Sequence, residues 1–99
     1  MRMMMRVQME AEAANAAIAD GTLGALMEST MGRLQPEAAY FTAVDGLRTG
    51  FIFFEMAHQA QIPEIAEPWF QAMNANIDFM PVMSPDDVAA GLQAWHESS

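Results

Sequence analysis

The stretch Leu47-Arg48-Thr49-Gly50-Phe51-Ile52-Phe53-Phe54-Glu55 decides how this chain folds. A strand with one face in water alternates apolar and polar residues. Here Phe51 and Phe53 point one way and Ile52 and Phe54 the other, so both faces need a cover. The preceding Asp45-Gly46 pair matches a two-residue hairpin turn, which requires positive φ at both central positions. Residues 37–44 then form the partner strand. Closing the turn between Val44 and Leu47 sets a register in which Thr42 faces Thr49, Tyr40 faces Phe51 and Ala38 faces Phe53. Phe41 falls opposite Gly50, whose missing side chain makes room for the ring.

Working outward, residues 2–9 alternate, with Met3, Met5, Val7 and Met9 on one face and Arg2, Met4, Arg6 and Gln8 on the other, the period of a strand. Glu10 and Glu12 suit the positive end of a helix starting near Glu10. In that helical region Ile18, Leu23, Leu26, Met27, Met31 and Leu34 form an apolar stripe. Asp20-Gly21-Thr22 interrupts it and predicts a bend or a break, with Thr22 able to cap a restarted helix. Pro36 ends the region.

Beyond Glu55, Gln61-Ile62-Pro63-Glu64 reads as a helix entrance, followed by Ile62, Ile65, Ala66, Trp69, Phe70 and Met73 at helical spacing. Pro68 inside that helix predicts a bend. Ile77 to Met83 alternate as a fourth strand, which Pro81 confines to a sheet edge or a bulge. Ser84-Pro85-Asp86-Asp87 then starts a short C-terminal helix carrying Val88, Leu92 and Trp95.

Ninety-nine residues make one domain, residues 1–99. At 53% apolar and only 17% charged residues, the chain has few charges to cover its surface, which points to self-association. Thirteen acids against four arginines and no lysine give a net charge of -9. That balance argues against nucleic acid and against anionic membrane surfaces as partners. Without cysteine there is no disulfide, thiolate nucleophile or thiolate metal site. The N-terminal methionines are broken by Arg6 and Gln8 too early for a signal peptide or membrane span, so a cytoplasmic location is the expectation.

Strand, helix, strand, strand, helix, strand is the βαββαβ order of the ferredoxin-like α+β sandwich. Both helices then cover one sheet face. The other face, still apolar because the central strand carries large apolar residues on both sides, calls for a second copy packed by a twofold axis.

Several stretches carry a family resemblance: Asn15-Ala-Ala-Ile18 with Asp20-Gly21, Pro36-Glu-Ala-Ala-Tyr-Phe41, Asp45-Gly46 with Arg48-Thr49, Ile62-Pro63, Glu67-Pro-Trp-Phe70 and Pro81-Val-Met83. Together they resemble a family of small bacterial proteins of uncharacterised activity, similar in turn to the dimeric α/β-barrel superfamily. That superfamily includes muconolactone isomerases, cofactor-free monooxygenases and haem-binding members. The resemblance implies a homodimer whose two sheets form a barrel with helices outside, but it maps no catalytic motif onto this chain.

Candidate site residues follow from chemistry. Glu55 and His58, spaced Glu-x-x-His at a strand end, have the makings of an acid/base pair for a small carbonyl or phenolic substrate, against a plainer reading as a strand-end carboxylate and a loop histidine. With His96 the only other histidine, a metal site is incomplete, and the methionines lie on stripes needed for packing, so no metal is expected. Tyr40 offers a hydroxyl to orient a ligand, or simply packs. Arg48 suits a carboxylate, although acids in the chain offer it ion pairs. Asn15 and Asp20 lie near the apolar side of the first helix, and Trp69 is either core or pocket wall. The resulting expectation is a small apolar or aromatic molecule bound or converted without a cofactor between sheet and helices. The alternative is a structural or regulatory dimerisation module. A pocket reaching Tyr40, Glu55 or His58 discriminates the two.

Overall fold

The computed structural model describes residues 1–99. Its elements are β1 (Arg2–Gln8), α1 (Ala11–Asp20), α2 (Thr22–Leu34), β2 (Ala38–Val44), β3 (Leu47–Glu55), α3 (Gln61–Met73), β4 (Asn76–Pro81) and α4 (Pro85–Ser98). The strands form one antiparallel sheet in the order β2-β3-β1-β4, an α+β arrangement compatible with the ferredoxin-like fold.

The hairpin register is the one set by the turn: Val44 opposite Leu47, Thr42 opposite Thr49, Tyr40 opposite Phe51, Phe41 opposite Gly50. Asp45 and Gly46 take φ of 54° and 76°, the left-handed pair such a turn requires. A Cβ on Gly50 would lie 2.9 Å from the Phe41 ring, so the glycine does admit it. Pro81 is the last residue of β4, and β4 is an edge strand, where a missing N–H breaks no ladder.

The helical region breaks at Gly21, whose φ of 84° lies where a side chain is unwelcome. Thr22 does not cap α2; it is the first helical residue, and the Asp20 carboxylate accepts its backbone N–H at 2.9 Å. The reorientation at Gly21 also takes Ile18 off the apolar stripe: it is exposed, and Ala14 and Ala17 face the core instead. Small residues there let α1 approach the sheet closely.

Helix α3 runs without interruption through Pro68. A proline at this position removes the hydrogen bond to the carbonyl four residues back, which belongs to Glu64. The Arg33 guanidinium supplies the missing donor, Nη1 lying 2.8 Å from that carbonyl oxygen. Thus α2 repairs the helix beside it. Phe70, read as part of the buried stripe, is exposed, whereas Ile65, Ala66, Trp69 and Met73 are buried.

The core lies between the helices and one sheet face, where Met3, Met5, Val7, Ile52 and Phe54 meet Ala14, Ala17, Ile65, Trp69 and Met73. The opposite face carries Met4, Phe51, Phe53 and Val44, all partly exposed, with Tyr40 67% and Met80 41% exposed. Two ion pairs lie on the same face, Arg2 with Glu37, and Arg6 beside Phe51 with Asp78. Helix α4 has a complete capping box, Ser84 Oγ accepting from Asp87 N–H and Asp87 Oδ2 accepting from Ser84 N–H, yet none of its residues is buried. It projects from the domain. The radius of gyration of 16.1 Å exceeds the roughly 13 Å of a compact chain this long, and the longest dimension is 56 Å. No helix is long and apolar enough to cross a membrane.

Candidate functional site

The expected site residues are scattered over several surfaces. Tyr40 stands on the open sheet face beside a small polar network. In that network the Gln8 amide donates to the Val44 carbonyl at 3.1 Å and to Thr49 Oγ1 at 3.3 Å, and the Thr49 hydroxyl donates to the Leu47 carbonyl at 3.0 Å. Every member is satisfied inside the hairpin. Its physical effect is to tie β1 to the turn and to hold Thr49 buried between its neighbours.

Glu55 ends β3, exposed, and its carboxylate pairs with the Met1 amine. His58 follows in an exposed turn organised by Gln61, whose side-chain oxygen accepts the N–H groups of Ala57 and His58 at 2.7 and 3.2 Å. No hydrogen bond joins Glu55 to His58, so the proton relay that their spacing suggested is not assembled in the single chain. Asn15 is exposed on α1, away from the space under the helices. Asp20 is engaged at the α1–α2 junction, where hydrogen bonds from the Thr22 side chain and backbone hold its carboxyl below the usual aspartate value. No three acids or histidines are grouped closely enough to hold a metal ion.

Trp69 is fully buried, and its indole N–H donates to Thr30 Oγ1 at 3.0 Å. The bond locks α3 to α2 and satisfies the one polar atom the indole brings into the core. Thr30 was not singled out in the sequence, although its place four residues beyond Leu26 and four before Leu34 puts it on the inward stripe.

Three depressions indent the surface. The one between α2 and α3, lined by Leu26, Arg33, Glu64 and Pro68 among others, is about 30 Å³, the space of a water or two. A polar hollow of about 280 Å³ lies between Gln8, Glu10, Leu47 and Asn74. An apolar groove of about 350 Å³ opens between α2 and the β2–β3 hairpin, lined by Met9, Leu23, Met27 and Phe41, with Thr42, Thr49 and Arg48. Among the expected site residues only Arg48 borders any of these, and none reaches Tyr40, Glu55 or His58. Arg48 is also the one arginine whose side chain makes no hydrogen bond: Arg2 and Arg6 pair with carboxylates and Arg33 with Glu64.

No family model matches this chain, and no curated protein matches it. Among solved structures, the de novo designed protein Ferredog-Diesel aligns with a TM-score of 0.50 at 10% identity, over 82% of this chain and 85% of that one. At that identity the likeness speaks for the fold alone: an α+β domain with a ferredoxin-like arrangement.

Proposed function

We propose that the chain is a homodimeric association module whose open sheet face packs against the same face of a second copy. One observation carries this reading: Phe51, Phe53, Met4, Tyr40 and Met80 form a continuous apolar surface on the face the helices leave uncovered. Each large apolar side chain fully removed from water contributes about 1.5–3 kcal/mol, and a twofold axis uses each one twice. The filled space under the helices, with no unsatisfied buried polar side-chain atom, supports an associating rather than a converting role.

Sedimentation velocity at micromolar protein tests it: twice the chain mass is the expected result, and a monomer overturns it. Phe53→Glu should shift the equilibrium at least about tenfold toward monomer, because it places a charge where the sheets meet.

A second reading is favoured by the position of Tyr40. If the paired sheets enclose a lumen, as in the dimeric α/β barrel, its hydroxyl points toward that lumen and can orient a small apolar or aromatic molecule, bound or converted without a cofactor. Native mass spectrometry of the purified dimer tests this: a copurified compound lost in Tyr40→Ala supports it, and a bare protein mass argues for association alone.

A further inference from the structure

Two features find no use within the single domain. The first is α4, a well-capped helix of 14 residues with no buried residue, along which Val88, Leu92 and Trp95 follow at spacings of four and three. Trp95 is 70% exposed and Leu92 59%. An amphipathic stripe of this kind requires an apolar cover. The second feature is the groove between α2 and the hairpin, apolar along Leu23, Met27 and Phe41 and bordered by Arg48, the arginine without a partner.

We infer that α4 is an exchange arm: in the homodimer proposed above, on which this inference rests, the Val88–Leu92–Trp95 stripe lies in the groove of the second copy, with the guanidinium of Arg48 stacked on the Trp95 indole. Charge favours the fit. The arm carries Asp86, Asp87 and Glu97 with no lysine or arginine, and an unpaired arginine stacks readily on an indole face.

In its own chain α4 does not occupy the groove, since none of the helix's residues is buried. Helix α4 leaves β4 beside Met3, whereas the groove lies on the helix-covered face over the β2–β3 side of the sheet, at the Thr49 end. The separation is about one to three strand spacings, roughly 5–14 Å, across the sheet and roughly 20 Å along it. A twofold axis running parallel to the strands between two stacked sheets instead sets β4 of one copy above β2 of the other. The arm then starts beside the partner's β2 edge and passes it to enter the groove on the helix-covered side. The stretch from Pro85 to Trp95 spans roughly 15 Å of that roughly 20 Å, so Trp95 approaches the hairpin end when the arm lies back along that edge.

The chain has no cysteine, which makes disulfide trapping unambiguous. Leu23→Cys places a thiol in the groove and His96→Cys places one beside Trp95. The variant carrying both is oxidised mildly. Disulfide-linked dimers, forming at least about tenfold faster than when Glu12→Cys on exposed α1 replaces the groove cysteine, support the arm, because docking raises the local thiol concentration. Mixing the two single variants should give a linked heterodimer. An internal disulfide at monomer mass places the arm on its own chain and overturns the inference. No acceleration over the Glu12→Cys control, in a protein that sediments as a dimer, overturns the arm while leaving the sheet-face dimer standing; a monomer by sedimentation defeats both. Arg48→Ala should weaken the dimer about two- to fivefold per contact, the range of an exposed cation–π pair, and an unchanged affinity overturns the stacking.

Discussion

The bond between the Trp69 indole and Thr30 can be isolated by a double-mutant cycle. Trp69 is 0% and Thr30 7% exposed, with a donor–acceptor distance of 3.0 Å, so water cannot readily replace either partner. Thr30→Val is nearly isosteric but leaves a buried N–H unpaired, a cost of about 1–2 kcal/mol after the gain from the extra methyl. Trp69→Phe leaves a void smaller than that of an alanine substitution and orphans the Thr30 hydroxyl, together about 2–3 kcal/mol. In the double variant no orphaned group remains, so its loss should stay near about 2–3 kcal/mol rather than the sum of the two, a coupling of about 1 kcal/mol. For a domain of this length that difference is about 4–8 °C in Tm. Urea unfolding followed by far-UV circular dichroism, at one fixed protein concentration, measures all four proteins without relying on tryptophan emission. Losses that add to within about 0.3 kcal/mol would refute the reasoning and reduce Trp69 to a space-filling group.

Other substitutions test other joints. Gly50→Ala should cost about 1–2 kcal/mol by urea denaturation, because its Cβ would meet the Phe41 ring at 2.9 Å; Phe41→Leu in the same chain should recover most of that. Arg33→Met should cost about 0.5–1.5 kcal/mol and speed amide exchange around Glu64 to Trp69, and should cost less when Pro68→Ala restores the helix's own donor. Asp87, held below its ordinary pKa by the Ser84 backbone N–H and hydroxyl, and Asp20, held low by Thr22, both have lowered folded-state values. Their contributions are complete above the unfolded-state value and disappear as pH falls through the lower folded ones. NMR should therefore show the Ser84 and Thr22 amides steady from neutral pH to about pH 5 and moving only below about pH 4, with the Thr22 response gone in Asp20→Asn.

The hairpin was legible because its signals are local: a turn demanding positive φ, a strict period of two, and one glycine facing one phenylalanine. Pro81 narrowed β4 to a sheet edge or a bulge for the same reason, since a missing N–H is a property of the residue itself, and the strand lies at an edge. Ile18 was misread because it was joined to the stripe that begins at Leu23, although five positions and the left-handed turn at Gly21 separate the two. The donor that offsets Pro68 inside α3 was hidden for a different reason. It comes from Arg33, 31 positions away from Glu64, and nothing in the local sequence marks that carbonyl as served. At the candidate sites, residue type suggested chemistry but not assembly. Glu55 and His58 have an acid/base spacing, yet the turn built by Gln61 and the pairing of Glu55 with Met1 leave them unconnected. Arg48, weighed chiefly as an ion-pair partner, is the arginine left without one.

The two edges of the sheet are unequal, and this limits what the protein can build. The β4 edge ends in Pro81 and carries the charge of Asp78, features that discourage another strand from adding. The β2 edge, Ala38 to Val44, has neither proline nor charge. Strand addition is therefore open on one side only. Open-ended ribbon growth needs two open edges, so the unequal sheet works against it, a safeguard against fibrils in a chain rich in apolar side chains.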